Sequence, residues 1–352
     1  MSELTKFDNW LKDDGPAALV IRELLEPVEG PDGVFFPPTF AAAEDRNKFG
    51  GGYNVDTFSD GSNVCLVDSV GSQANRIEPL FKDEKYKHLV PQIVVKAGDK
   101  QVNLLEAGHR AGDAIIRCSE LQEVLQEGFK AILEGNAEPL AKVAPTSLVF
   151  GAWDSRDTQA KVPRLVSSTI RAFNVKRLRR SAQYIPAAEY VKNGLLDEPT
   201  DKKTADAYAE RGFIHVPSSG SYGGVTLMND SSHSGSIRRD ATLSLAALRR
   251  LSASENQKTV ALRRYILGLS LVALTVPQDS YLRQGCNLVL AGEGKSRTFE
   301  IVHPNGKREP CKLSHDEARK YAEIAAKEFG VGKNRQVAFD KKLAERDIKG
   351  DR

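Results

Sequence analysis

Residues Val149 to Tyr184 read VFGAWDSRDTQAKVPRLVSSTIRAFNVKRLRRSAQY, and this stretch combines strand-forming segments with a strong local excess of positive charge. It holds eight basic and two acidic residues, a net charge of +6 in 36 residues, whereas all 352 residues together carry only +3. The aromatic residues Phe150, Trp153, Phe173 and Tyr184 lie among the charges. Cations can follow a phosphate backbone and aromatic faces can stack on unpaired bases, so this stretch indicates a groove for nucleic acid.

The composition is that of an ordinary globular protein, with 40% hydrophobic and 28% charged residues. The length allows one large domain or two modest ones. The four cysteines lack the close pairs of a structural zinc site, which favours a reduced interior: Cys65, Cys118, Cys286 and Cys311. The N-terminus has no signal-peptide pattern, and the longest apolar stretch, Tyr265 to Val276, is too short to span a bilayer. We therefore expect a cytoplasmic protein without a metal or cofactor.

Apolar periodicity and turn residues predict helices alternating with strands. A serine followed three residues later by Gln or Glu marks three helix starts. The predicted helices run from Ser119 to Gly135, from Ser254 to Pro277 and from Ser314 to Gly330, with a fourth over Asp240 to Leu251. The predicted strands are Ala17 to Pro27, Thr146 to Trp153, Ile170 to Ile185 and Cys286 to Leu290. This alternation favours an α+β core that carries insertions.

The clearest insertion is Pro217 to Ile237, in which eleven of 21 residues are Gly or Ser. The apolar runs Phe213 to Val216 and Val225 to Met228 flank its glycines. A projecting hairpin and a flexible linker are both compatible with this composition.

Two groups of polar residues suggest hydrolytic chemistry. Glu106, His109 and Asp113 lie close together, but no nucleophile motif accompanies them, and His109 is equally suited to contact a phosphate or to be structural. Asp154 and Asp157 could bind a divalent metal and cleave RNA. The simpler interpretation, which we favour, is that these carboxylates orient Arg156 and cap the turn before a helix at Pro163.

Arginine pairs and short polar motifs suggest further phosphate contacts. On a strand, Arg177 and Arg179 share one face, so this row could follow a phosphodiester chain. Arg238 and Arg239 precede a predicted helix, whose free backbone N–H groups could help to hold a phosphate. The segment from Ser72 to Arg76 offers amide and guanidinium groups that suit RNA 2′-hydroxyls and phosphates.

Several longer motifs resemble the backbone subunit of type I-G CRISPR effector complexes, formerly called type I-U, in the RAMP superfamily. The resemblance covers Ala17 to Phe329. Its motifs are SVGSQANRIEP (Ser69 to Pro79), LVFGAWDSRDTQAKVPRLVSSTIRAF (Leu148 to Phe173), RSAQY (Arg180 to Tyr184), RRDATLSLAALRRL (Arg238 to Leu251) and VPQDSYLRQGC (Val276 to Cys286).

The resemblance implies one domain over residues 1–352, a modified RRM-like (ferredoxin-like) palm with finger and thumb insertions. We expect the thumb hairpin at 213–228 and a flexible tail at 332–352. The implied partners are CRISPR RNA, the target DNA strand paired with this guide, further copies of the chain, a large subunit, and the subunit that processes the repeat and holds the 5′ handle; no membrane is implied. Because no RNP aromatic strand is found, binding should rest on the RNA backbone.

The sequence therefore predicts a non-catalytic, sequence-tolerant RNA-binding subunit, with a metal-dependent ribonuclease using Asp154 and Asp157 as the alternative. Trp153 is a candidate for base stacking, although a buried core position is equally compatible with it. The predicted RNA contacts are Gln73, Asn75, Arg76, Arg156, Gln159, Lys161, Arg171, Arg177, Arg179, Arg238 and Arg239.

Overall fold

A computed structural model of the chain describes residues 3–45, 47–181, 183–216, 221–229, 232–292 and 296–349. Within them the strands are β1 (Ala18–Pro27), β2 (Thr39–Phe40), β3 (Gly52–Tyr53), β4 (Val55–Thr57), β5 (Asn63–Asp68), β6 (Ile93–Ala97), β7 (Lys100–Asn103), β8 (Ala152–Trp153), β9 (Lys161–Val162), β10 (Val166–Phe173), β11 (Val175–Arg180), β12 (Ser221–Leu227), β13 (Ser236–Ser244), β14 (Tyr281–Arg283), β15 (Cys286–Leu290), β16 (Arg297–Val302), β17 (Arg308–Pro310) and β18 (Arg335–Ala338). The helices are α1 (Val70–Ile77), α2 (Ala114–Arg117), α3 (Gln122–Leu133), α4 (Glu138–Val143), α5 (Pro145–Phe150), α6 (Lys202–Glu210), α7 (Leu245–Leu248), α8 (Asn256–Thr275), α9 (His315–Phe329) and α10 (Lys341–Lys349).

The centre of the molecule is an antiparallel sheet in the order β14-β15-β1-β13-β10-β5-β4, with β16 also paired to β1 and β17 paired to β16. Along the chain, β1 leads through a helical segment to β10, then to β13, α8 and the pair β15 and β16. This βαββαβ succession in a mixed α+β protein is compatible with the predicted ferredoxin-like palm.

Strand β13 replaces the first half of the helix that we predicted over Asp240 to Leu251. Its buried residues alternate along the strand (Ile237, Arg239, Ala241 and Leu243), and it pairs with β1 on one side and β10 on the other. The helical part is limited to α7, which begins after the N-cap Ser244. The backbone N–H and C=O groups of β13 form hydrogen bonds with β1 and β10. This tertiary context outweighs the local helical pattern.

The predicted strand Thr146 to Trp153 was also wrong over most of its length. Residues Pro145–Phe150 form α5 and are all buried. Proline is favourable at the first helical position, and a short buried apolar run does not by itself distinguish helix from strand. Likewise, no helix begins at Pro163, because the chain passes directly from β9 to β10.

The other predicted elements agree with the structure to within a few residues. β1 and β15 lie where strands were predicted, and β10 and β11 divide the third predicted strand at Asn174. Helices α3, α8 and α9 are present, and the Ser314–Glu317 capping box of α9 is confirmed. No helix in the described ranges is both long and apolar enough to cross a membrane.

The buried apolar residues form two clusters along the sheet. The larger contains Leu19, Ile21 and the buried faces of α8 and α9, and the smaller contains Phe35, Tyr53 and Cys65. Burial raises the pKa of Cys65 to about 12 and that of Cys286 to about 11, so both remain thiols at neutral pH.

A hairpin of β11 and β12 continues the β10–β13 ladder beyond the central sheet. It has a β-bulge, because β12 has one residue more than β11 between the pairs Arg177–Val225 and Arg179–Tyr222. Gly224 in this bulge has a φ of +90°, which favours glycine, and its N–H donates to Tyr53 Oη at 3.0 Å.

The segment 213–228 does not pair as a local hairpin in the residues described. Val216 forms a bridge with Tyr184, and β12 pairs with β11, so both apolar runs pair with residues that precede the insertion. Residues 217–220 of this prediction, and 350–352 of the predicted flexible tail, lie outside the described residues. The rest of the tail includes β18, which pairs in parallel with β6, and α10, where Asp347 forms an ion pair with Arg117 at 2.8 Å.

Candidate nucleic-acid interface

Of the two acidic residues of the basic stretch, Asp154 is buried and Asp157 is half-buried. Asp154 is only 2% exposed, and its Oδ2 accepts hydrogen bonds from the Thr158 N–H at 2.8 Å and the Thr158 hydroxyl at 2.7 Å. Asp154 and Asp157 both line a small cavity that Arg117 also lines. The charge that this stretch presents to solvent is therefore even more positive than its sequence shows.

The cations of the same stretch point outward. Arg156, Lys161, Arg164, Lys176, Arg177 and Arg179 are exposed, and Arg171 is half-buried. None of these seven side chains forms an ion pair with a carboxylate in the described part of the chain. Unpaired surface cations are free to bind phosphates without first breaking an internal contact.

A cleft of about 500 Å³ lies between residues 108–110 and the short hairpin of β8 and β9. In this hairpin Trp153 lies opposite Lys161, and the Lys161 Nζ is 4.8 Å from the centre of the indole ring. His109, Arg110 and Arg164 complete the basic lining. We refer to this site as the Trp153 cleft.

The outer face of the central sheet carries a second group of predicted contacts. Arg171 lies opposite Arg238 in the β10–β13 ladder, and the Arg238 guanidinium is 4.7 Å from the centre of the Phe173 ring. Arg238 also donates to Asp240 at 2.9 Å, which partly neutralises it. This face therefore has less unpaired charge than the stretch around β9 and β11.

Gln73 and Arg239, both predicted as RNA contacts, are instead buried at 1% and 2% exposure. Gln73 donates to Asp68 at 2.6 Å and accepts from Ser168 at 2.7 Å. Arg239 donates to Glu23 at 2.5 Å and to Ser168 at 3.3 Å. These internal bonds satisfy the polar groups of both side chains.

The remaining predicted contacts lie at the surface but have internal roles as well. Arg76 is 37% exposed and donates to Asp68 at 3.3 Å and to the Leu282 carbonyl at 2.5 Å. Asn75 is exposed, and its Oδ1 lies 3.5 Å from Arg110 Nη2. Gln159 is exposed and donates to the Ser155 carbonyl at 2.6 Å, which closes the turn between β8 and β9.

The group Glu106, His109 and Asp113 does not assemble as a catalytic unit. Glu106 pairs with Lys82, and Asp113 caps the first turn of α2 and accepts from the His109 backbone N–H at 3.2 Å. The His109 side chain lies in the lining of the Trp153 cleft instead. Of the two interpretations of His109 in the sequence, this position favours the phosphate contact.

Two basic residues of the Trp153 cleft, Arg110 and Arg164, are not among the predicted RNA contacts. Arg110 is buried and forms an ion pair with Glu78 at 2.5 Å. The signal for Arg164 is local, because it follows the β9 strand that carries Lys161 opposite Trp153. No local signal places Arg110 beside the same hairpin.

Together the fold and surface define an α+β protein with a ferredoxin-like palm and an exposed, unneutralised row of cations. In a comparison with known families, the model of the family described as CRISPR-associated protein GSU0053 matches residues 19–177, somewhat less than half of the chain. The match indicates a CRISPR-associated protein. It runs from β1 into β11 and includes the Trp153 cleft. No curated protein matches the chain.

Proposed function

We propose that this CRISPR-associated protein is a non-catalytic subunit that binds CRISPR RNA through the RNA backbone. Several copies align along one guide in a cytoplasmic type I effector complex, together with a large subunit and the subunit that holds the 5′ handle. The guide held in this way stays available for pairing with a target DNA strand.

The observation that carries the proposal is the orientation of charge between Val149 and Tyr184. Seven cationic side chains of this stretch have no carboxylate partner in the described residues, whereas Asp154 and Asp157 face an internal cavity. A surface with cations of one sign and no counter-charge attracts a polyanion.

Backbone contacts explain why such a subunit tolerates any guide sequence. Lysine and arginine contacts to phosphates position a nucleic acid without reading its bases. In RNA-guided complexes the sequence is read by base pairing, so the protein needs only to hold the guide.

A direct test is the affinity of the purified full-length protein for two unrelated single-stranded 30-nucleotide RNAs, measured by fluorescence anisotropy. We expect similar affinities for both sequences. The double variant Arg177→Ala/Arg179→Ala should weaken both by about tenfold, because two phosphate contacts are lost. A matched control, Lys130→Ala/Lys327→Ala, removes the same charge from exposed positions on α3 and α9 and should change little.

Equal affinities of the parent and the Arg177/Arg179 variant would contradict the proposed surface. The same RNA incubated with Mg²⁺ or Mn²⁺ tests the ribonuclease alternative. We expect intact RNA, because Asp154 Oδ2 is already bonded to Thr158 and the Arg117 guanidinium lines the same cavity, where its positive charge disfavours a metal cation. Metal-dependent cleavage that is lost in both Asp154→Ala and Asp157→Ala would overturn the non-catalytic assignment.

A further inference from the structure

We infer that the Trp153 cleft is a subsite for a single nucleotide of RNA, in which the base stacks on Trp153 and the adjacent phosphate lies among Lys161, Arg164 and His109. The inference rests on the proposed function and adds a defined pocket to a general electrostatic surface. It depends on the shape, the charge and the aromatic surface of the cleft.

The walls of the cleft are held in place by internal contacts. Arg110 has a φ of +54°, an uncommon conformation for a residue other than glycine, and its side chain binds Glu78 and the Gly151 carbonyl. Gly151 has a φ of +81°, and a Cβ there would lie 2.7 Å from Arg164 Cγ. The absence of a Cβ at Gly151 therefore leaves room for the Arg164 side chain in the lining of the cleft.

The charge of the cleft is only partly compensated by carboxylates. Four basic side chains line it, and none of the lining residues in the described part of the chain carries a carboxylate. Glu78 neutralises Arg110 from behind, but Arg164 has no such partner among the described residues. Burial and the neighbouring Arg110 lower the pKa of Arg164, so a bound anion would offset the repulsion between these two cations.

The aromatic surface identifies the anion. Trp153 is 54% exposed although it is a large apolar residue, and it lines a pocket that has no carboxylate among its described lining residues. A free phosphate would leave the indole exposed, whereas a nucleotide covers it with the base and neutralises the cations with its phosphate. A volume of about 500 Å³ is in the range of pockets that enclose small ligands.

Stacking also agrees with sequence tolerance. Every base presents a π face, so an indole accepts any of the four. Besides the lysine and the arginines, only Ser155, the Trp153 indole N–H and the His109 ring offer side-chain hydrogen bonds among the described residues of the lining, which leaves few groups for reading a base edge. The subsite should therefore bind purines and pyrimidines in RNA of any sequence.

Trp153 provides its own reporter, because the chain has only one other tryptophan, Trp10. Trp10 stacks on Phe7 at 4.4 Å, so Trp10→Phe should preserve the packing and leave Trp153 as the single fluorophore. This variant is titrated with single-stranded RNA and, separately, with adenosine monophosphate and with inorganic phosphate. We expect RNA to quench the fluorescence over the concentration range in which it binds, and adenosine monophosphate to quench at higher concentration.

Further variants test the contacts. Trp153→Ala and Lys161→Ala/Arg164→Ala should each weaken RNA binding by about tenfold, whereas Trp153→Phe, which retains an aromatic face, should bind nearly as the parent does. Thermal unfolding of each variant verifies that it is folded. Equal affinities of Trp153→Ala and the parent would overturn the subsite.

The results separate this inference from the proposed function. RNA that binds with normal affinity but leaves Trp153 fluorescence unchanged would overturn the subsite and retain the proposed function. Quenching by adenosine monophosphate in a protein that does not bind RNA would retain a nucleotide pocket and overturn the proposed function. Quenching by inorganic phosphate to the same extent as by the nucleotide would show an anion site without base stacking, which overturns the inference.

Discussion

Arg239 is a predicted phosphate contact that the tertiary structure places in the interior. Its guanidinium bonds to Glu23 and Ser168, and Ser168 in turn bonds to Gln73, which bonds to Asp68. These buried polar groups connect β1 and β13 to β10, α1 and β5. The bonds among them hold the strands and α1 together at the centre of the sheet.

Arg239→Met should lower the free energy of unfolding by about 3–5 kcal/mol, because it leaves Glu23 buried without its closest cation. Urea-induced unfolding measures this change. The double variant Glu23→Leu/Arg239→Met removes both charges and should recover most of the loss.

The double variant also distinguishes a structural role from RNA contact. If Arg239 only supports the sheet, the folded double variant binds single-stranded RNA with the affinity of the parent. A tenfold loss of affinity with restored stability would instead reinstate Arg239 as an RNA contact.

At the scale of elements, helix α9 shows how a local motif determines a helix start. Ser314 Oγ accepts from the Glu317 N–H at 3.3 Å, and Glu317 Oε2 accepts from the Ser314 N–H at 3.0 Å. Helix α8 was predicted to begin in the same way at Ser254, but its N-cap is Glu255 and no side-chain capping bond forms. The same pattern of a serine followed three residues later by Gln or Glu therefore caps α9 but not α8.

Ser314→Ala should lower the free energy of unfolding at pH 7 by about 1 kcal/mol, whereas Ser254→Ala should change it by much less. Thermal or urea unfolding of the two variants provides the comparison. Equal losses would show that α8 is capped by Ser254 in solution.

The capping box also has a pH dependence. Hydrogen bonding from Ser314, together with Lys6, lowers the pKa of Glu317 from 4.5 to about 2. Because the folded pKa is the lower one, the stabilisation is fully present above pH 4.5 and is lost as the pH falls through about 2. The stabilities of the two serine variants should therefore be compared at neutral pH, where Glu317 is ionised.

At the scale of the whole molecule, the cations form a discontinuous basic surface that extends from the β8–β9 hairpin along β10 to the β11–β12 hairpin. β10 separates these two hairpins by eight residues, or about 25 Å of strand. A single-stranded RNA that binds at both hairpins must therefore span this distance, and several of its phosphates contact the protein.

Binding by this surface should depend steeply on salt. If about six phosphates are neutralised, the logarithm of the association constant should fall against the logarithm of salt concentration with a slope of about −4. The Arg177→Ala/Arg179→Ala variant should have a shallower slope of about −3. A slope near zero in the parent would contradict an electrostatic interface.

The charge and the individual elements of this protein could be read from its residues. The basic stretch, the strands β1 and β15, and the helices α3, α8 and α9 follow from composition, periodicity and local turn chemistry, which act over a few neighbouring residues. The βαββαβ palm was anticipated by the resemblance of whole motifs rather than by any one element.

The tertiary structure alone decided which polar residues face solvent. Gln73 and Arg239 have the chemistry of RNA contacts, but pairing with groups that lie far away in sequence, such as Ser168 and Glu23, buries them. The Trp153 cleft likewise depends on the approach of residues 108–110 to the β8–β9 hairpin, about 45 positions later. Charge is a property of each residue and is visible in the sequence, whereas burial and convergence depend on long-range packing and appear only in the folded chain.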